Sequence, residues 1–79
     1  MKLSDFVQIK RKQYRLTQFQ LADQAGVGLR FIRELEAGKP TLRLDKVNVV
    51  LALFGAELGP VSMDRDFGGE DPVKEDSHA

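Results

Sequence analysis

Residues 16–38 read LTQFQLADQAGVGLRFIRELEAG. Apolar residues recur at helical spacing in two runs, over 18–25 and 29–37, which the letters AGVG separate. Thr17 is a favourable N-cap for the first run, and Gly26 suits the left-handed conformation that often ends a helix. The stretch therefore predicts two short helices joined by a tight turn, either as a helix-turn-helix or as a hairpin that only packs.

Further helices are predicted on both sides of this pair. Ser4 is a favourable N-cap for a first helix that reaches about Tyr14. A fourth helix over 44–54 ends at Gly55, and residues 56–63 form either a short edge strand or an irregular arm. The chain is therefore expected to be all-α. The predicted inner face of the first helix consists of Phe6, Val7, Ile9 and Tyr14.

The fourth helix is apolar around most of its circumference, which is typical of a helix buried on more than one side. A chain of 79 residues is expected to bury only about 60% of its unfolded surface. We therefore expect a homodimer in which this helix packs against a second copy. The predicted interface consists of Val49, Val50, Leu53, Phe54 and Leu58.

The charges are unevenly distributed although the formal net charge is zero. Residues 1–63 hold ten Lys/Arg and six Asp/Glu, whereas residues 64–79 hold two basic and six acidic side chains. This asymmetry fits a nucleic-acid partner, and it also fits a solvated surface with a polar end. We predict a DNA-binding and dimerisation domain over 1–63 and an acidic, disordered tail over 64–79.

The residues that enzyme chemistry needs are sparse. The chain has no cysteine, which excludes disulfides and thiolate metal sites, and its one histidine is His78. No phosphate-binding glycine loop follows a strand. Residues 1–5 do not resemble a signal peptide, and the longest apolar run, 49–54, is too short to span a membrane. We expect a cytoplasmic protein that is not an enzyme and needs no cofactor or metal.

The stretch also resembles the helix-turn-helix of the Xre family of phage repressors and bacterial regulators. The similarity covers residues 5 to about 55 and implies a lambda-repressor-like domain of four or five helices. It further implies a dimer that binds a pseudo-palindromic operator in double-stranded DNA and represses transcription. The matching residues are Leu16, Thr17, Gln18, Leu21, Ala22, Gly26, Val27, Ile32, Leu35, Glu36 and Gly38.

Within this family, residues 26–47, GVGLRFIRELEAGKPTLRLDKV, are similar to the HipB-like branch. That resemblance implies an antitoxin that represses its own operon and binds a HipA-like kinase toxin. The alternatives are an orphan regulator and a protein-interaction module without DNA binding. Phe31 departs from the family pattern, which has a small or polar residue there. We expect it to pack against the second helix near Phe19, and the alternative is contact with a sugar or a base methyl group.

The resemblance places four residues of the third helix toward the major groove: Leu29, Arg30, Arg33 and Glu34. Arg30 can pair with a guanine through two hydrogen bonds, worth about 1–3 kcal/mol of discrimination. The competing interpretation is an ion pair between Arg30 and Glu34 one turn apart, which contributes only about 0.2–0.5 kcal/mol. Both can hold if Glu34 orients Arg30 before binding.

The other expected DNA contacts are to the backbone, and such contacts set position rather than sequence. The resemblance implies that Gln18, at the start of the second helix, contacts a phosphate and braces the third helix, and the free N–H groups at that helix start favour the same phosphate. The remaining members of this set are Gly28, Lys39, Thr41 and Arg43.

Glu36 lies on the core side of the third helix, where an unpaired carboxylate is costly. The family resemblance implies that an arginine of the first helix pairs with it, and Arg11 stands at the matching position. We therefore expect a structural ion pair and do not assign Arg11 to DNA.

Overall fold

The structure, a computed structural model, describes residues 1–61. It contains four helices: α1 (Leu3–Gln13), α2 (Gln18–Ala25), α3 (Leu29–Ala37) and α4 (Leu44–Ala52). The prediction of an all-α domain is confirmed for this part of the chain. The predicted tail over 64–79 lies outside the described residues.

The helix pair of the opening stretch has the predicted ends. Thr17 caps α2 in a reciprocal arrangement. The Gln20 backbone N–H donates to Thr17 Oγ1 at 3.0 Å, and the Thr17 backbone N–H donates to Gln20 Oε1 at 2.8 Å. Gly26 ends α2 with φ 73° and Gly38 ends α3 with φ 83°, conformations in which a Cβ would be strained. These local interactions fix both ends of α2 and the end of α3.

The start of α1 differs from the prediction. Ser4 was expected to be the N-cap, but the helix already includes Leu3, and Lys2 occupies the cap position. Leu3 packs against the core, so its burial extends the helix past the better capping residue. The turn to α2 passes through Arg15, whose φ of 58° is left-handed.

All four helices contribute to one core. The buried apolar residues are Val7, Leu21, Ala22, Ile32, Leu35, Val47, Val50 and Leu51. The predicted inner face of α1 was too wide, because Ile9 is 43% exposed and Tyr14 is 54% exposed. Ile9 follows Val7 by two residues, about 200° around a helix, and therefore points away from the core.

Helix α4 ends at Ala52, two residues before the predicted end, and Gly55 follows it with φ 72°. Val50 was predicted to lie in a dimer interface, and this is wrong because its side chain is 0% exposed within the single chain. It lies one turn from Val47 and packs with it in the core.

Residues 56–61 form an irregular arm rather than the alternative strand. The Leu58 N–H donates to Asn48 Oδ1 at 2.7 Å, which ties the arm to α4. Among the described residues, no helix is long and apolar enough to cross a membrane.

Candidate nucleic-acid interface

Helix α3 has one face in the core and one face in solvent. Ile32 and Leu35 are buried, and on the opposite side Arg30 and Arg33 are exposed together with Ala37. Helices α1 and α2 both pack on the inner face of α3. The outer face is thus held rigidly by the rest of the domain, as a binding surface requires.

A cluster of three charged side chains occupies this outer face. Arg30 Nε lies 3.2 Å from Glu34 Oε2, and Lys39 Nζ lies 3.5 Å from Glu34 Oε1. The Arg30 side chain is 90% exposed and that of Glu34 is 29% exposed. The structure therefore contains the ion pair that was the competing interpretation of Arg30, and it adds Lys39 on the other side of the carboxylate. We call these three residues the Glu34 cluster.

The other predicted groove residues differ in exposure. Leu29 is half-buried and packs against the core, so only part of its side chain faces outward. Gly28 is exposed at the N-cap of α3, next to the free N–H groups of the first turn. Phe31 is half-buried against the core with Lys46 Nζ 5.8 Å from its ring centroid, whereas Phe19 is largely exposed.

Behind the outer face, Glu36 is buried in a polar network. Arg11 donates to both carboxylate oxygens of Glu36, from Nε at 2.7 Å and from Nη2 at 3.0 Å, and its Nη1 donates to the Leu16 carbonyl at 2.9 Å. The predicted structural pair is therefore present. A two-point arginine–carboxylate contact fixes distance and orientation together.

Two glutamines complete this network. Gln18 Nε2 donates to Glu36 Oε1 at 3.1 Å, and Gln8 Nε2 donates to the Glu36 carbonyl at 2.8 Å. Through these bonds α1 and α2 both hold α3, so Gln18 braces the third helix as expected. Its second amide hydrogen is available to another acceptor. Neither glutamine was linked to Glu36 from the sequence, because helical spacing does not report which long polar side chains reach across helices.

The loop from α3 to α4 carries the rest of the predicted backbone contacts. Thr41 and Arg43 are exposed there. Arg43 donates to Asp45 through Nη2 at 2.6 Å and through Nε at 3.2 Å. These hydrogen bonds lower the pKa of Asp45 and raise that of Arg43. Asp45 was not predicted as a partner of Arg43, although an acidic residue in the first turn of a helix, two residues after a basic one, was a usable signal.

A partly exposed apolar surface lies at the opposite end of α4. Val49 and Leu53 are exposed, while Phe54 and Leu58 are half-buried. The Tyr14 ring meets the Phe54 ring edge to face with centroids 5.2 Å apart. Because Val50 is buried, four of the predicted interface residues remain at the surface, and Tyr14 lies beside one of them, Phe54.

Comparison with known proteins finds a similar transcriptional regulator. The chain is 54% identical over 52 residues to the uncharacterized HTH-type transcriptional regulator y4mF of Sinorhizobium fredii (strain NBRC 101917 / NGR234). The match covers 66% of this chain and 68% of that protein. No protein-family model matches the chain.

Proposed function

The chain belongs to the HTH-type transcriptional regulators, and we propose that it is a sequence-specific repressor of the Xre type that binds a pseudo-palindromic operator as a homodimer. The single observation that carries this proposal is the exposed outer face of α3. Two arginines, Arg30 and Arg33, extend from it into solvent. In a helix-turn-helix, this helix enters the major groove and the preceding one crosses the backbone.

In this proposal the N-terminal half of α3 reads the bases. Arg30 leaves Glu34 and pairs with the O6 and N7 atoms of a guanine. Arg33, three residues further along, reaches a base or a phosphate, and the exposed part of Leu29 contacts a thymine methyl group. Because Arg30 and Arg33 are exposed, they can bind DNA without a change in the core.

Backbone contacts are assigned to the residues around α3. Gln18 uses its second amide hydrogen for a phosphate while the first stays on Glu36, and the Gly28 end of α3 offers free N–H groups. Lys39, Thr41 and Arg43 contact the backbone from the loop after α3. Each phosphate neutralised contributes a slope of about −0.9 in log K against log salt.

The homodimer is assigned to the apolar surface at the end of α4. Val49, Leu53, Phe54 and Leu58 support it because they are apolar and partly exposed. A symmetric pair would set the two α3 helices one turn of DNA, about 34 Å, apart. Sedimentation analysis of the wild type and of Leu53→Glu tests this assignment, since a charge there would dissociate the dimer.

The finer proposal is that the protein is a HipB-like antitoxin that represses its own operon and binds a HipA-like kinase toxin. Its support is the resemblance of residues 26–47 to that branch. Co-purification with the product of the adjacent gene tests it. If the neighbouring gene does not encode a kinase-like protein, an orphan regulator remains.

Selection from a random duplex library, followed by fluorescence anisotropy, tests DNA binding. The wild type is expected to enrich a two-fold symmetric sequence, and Arg30→Ala is expected to lose preference at one position of it. Arg33→Ala is expected to lose preference at another position if Arg33 contacts a base, and to lose affinity for all sequences if it contacts a phosphate. Lys12→Ala is the control, because it removes an exposed positive charge from α1 rather than from α3. Binding by both arginine variants with unchanged preference would refute the groove assignment. Absence of binding by the wild type would favour a protein-interaction module.

A further inference from the structure

The position of Glu34 on the outer face is electrostatically unusual. Every DNA phosphate repels a carboxylate, and this one lies on the surface assigned to the major groove. Its two oxygens face two different cations, Arg30 on one side and Lys39 on the other. An exposed glutamate with no such arrangement would be an ordinary solvated side chain.

The backbone holds this arrangement in place. The Lys39 N–H donates to the Glu34 carbonyl at 3.1 Å, and the Gly38 N–H donates to the Leu35 carbonyl at 3.2 Å. These are the two hydrogen bonds of a Schellman motif at the end of a helix. The turn that ends α3 therefore fixes the backbone of Lys39 beside Glu34, within reach of the carboxylate for its side chain.

The Glu34 cluster is expected to affect the affinity for the operator and the affinity for random DNA differently. Binding to random DNA depends on Lys and Arg contacts with phosphates. If Arg30 and Lys39 make such contacts they leave Glu34, and its carboxylate then lies near the phosphates without a partner. A correct site offers compensation, because guanine accepts from arginine and the N4 amino group of cytosine donates to a carboxylate. Arg30 and Glu34 are neighbours one helical turn apart on the same face of α3, so both can be directed at the same groove.

We propose that Glu34 is a specificity-determining residue: it restrains Arg30 and Lys39, penalises non-cognate DNA, and reads a cytosine amino group beside the guanine that Arg30 reads. This inference rests on the proposed function, and it assigns to one acidic side chain the task of separating the operator from other sequences. Specificity of this kind comes from weakening the wrong complex as much as from strengthening the right one.

The test compares Glu34→Gln with Glu57→Gln. Both variants remove one negative charge by the same chemical change, but Glu57 lies in the arm after α4. Affinity is measured by fluorescence anisotropy for the selected operator and for a random duplex of equal length, at low and moderate salt. Urea unfolding verifies that each variant is folded, and Glu34→Ala serves as a second variant.

For Glu34→Gln, binding to the random duplex is expected to tighten by roughly threefold to tenfold, because two cations are released and one repulsion is removed. The ratio of operator to random affinity is expected to fall, and a repeated selection is expected to lose its preference for cytosine at one position. Glu57→Gln is expected to change the two affinities by the same factor. In an Arg30→Ala background, Glu34→Gln is expected to have a smaller effect on random DNA.

The failures of the two proposals are distinguishable. If the wild type selects no sequence, the proposed function fails and this inference fails with it. If the wild type selects an operator but Glu34→Gln keeps the same ratio of operator to random affinity, only the inference is overturned. Equal behaviour of Glu34→Gln and Glu57→Gln overturns it as well, because net charge would then explain the result.

Discussion

Glu34 and Glu36 lie two residues apart on α3, and each pairs with an arginine, but the two pairs have opposite surroundings. The Glu36 side chain is 5% exposed and its partner Arg11 is 14% exposed. The Glu34 side chain is 29% exposed and its partner Arg30 is 90% exposed. Two residues correspond to about 200° around a helix, so one carboxylate faces the core and the other faces solvent.

This difference decides what each pair can do. The Glu36 carboxylate accepts from Arg11 twice and from Gln18 once, so burial is compensated and the geometry is fixed. The Glu34 pair is in contact with water and can exchange its partner at little cost. The same two residue types thus stabilise the fold on one face and remain able to change partners on the other.

Arg11→Ala is expected to have the largest effect on stability. It leaves the Glu36 carboxylate buried without its charged partner, which costs about 3–5 kcal/mol in the free energy of unfolding. Urea denaturation followed by circular dichroism measures it. Arg30→Ala is the matched control and should change stability by no more than about 0.5 kcal/mol.

Equal losses from Arg11→Ala and Arg30→Ala would contradict the distinction between the two pairs. A double replacement, Arg11→Met with Glu36→Leu, separates lost attraction from the penalty of a buried unpaired charge. It is expected to be considerably more stable than Arg11→Ala, because the two apolar side chains fill the space without leaving a charge.

The next largest effect is expected for Arg30→Lys, and it concerns DNA rather than folding. Lysine keeps the charge and can still pair with Glu34, but it lacks the planar fork that contacts guanine at two points. Discrimination at one guanine is expected to fall by about 1–3 kcal/mol. Affinity for random DNA should stay nearly constant, and competition anisotropy measures both. Intact discrimination would assign Arg30 to a phosphate, because lysine binds phosphates too.

Local rules explain why the helix pair was predictable. Thr17, Gly26 and Gly38 each act within a few residues of their own position, so the ends of α2 and α3 can be read directly from the sequence. The start of α1 was not predictable in this way. There the burial of Leu3 outweighed the capping preference of Ser4.

The candidate site was predictable in part for the same reason. Helical spacing and family resemblance identified Arg30, Arg33 and the Arg11–Glu36 pair. They did not reveal the ion pair between Lys39 and Glu34, because this contact depends on the three-dimensional path of the turn after α3. Val50 was misplaced because a helix that is apolar nearly all round does not show from its sequence which side faces its own core.

Gln18→Ala is expected to have an intermediate effect on stability. It tests an uncharged member of the buried network around Glu36. It removes one hydrogen bond to the Glu36 carboxylate, and because Gln18 is only half-buried, water can partly replace it. The expected loss is about 1 kcal/mol in the free energy of unfolding, measured by urea denaturation.

The control is Gln24→Ala, since Gln24 is an exposed glutamine of the same helix and should change stability by less than about 0.5 kcal/mol. Equal effects of the two variants would show that Gln18 does not stabilise Glu36. DNA affinity should decrease for Gln18→Ala and not for Gln24→Ala, because only Gln18 is assigned a phosphate.

The smallest effect is expected for the Arg43–Asp45 pair, in which both side chains are about two-thirds exposed. The hydrogen bond from Arg43 lowers the pKa of Asp45 in the folded state. Its stabilisation is therefore present above about pH 4, the usual range of the unfolded carboxyl group, and is lost as pH falls through the lowered pKa. Wild type should have a slightly higher urea midpoint than Asp45→Asn at neutral pH, and the two midpoints should converge near about pH 2.

Added salt should reduce the difference between the two midpoints at neutral pH, because exposed ion pairs are screened. If the urea midpoints still differ in acid, Asp45 stabilises α4 by something other than its charge. The Arg43–Asp45 pair would then differ from the exposed Arg30–Glu34 pair, to which only a weak electrostatic contribution is assigned.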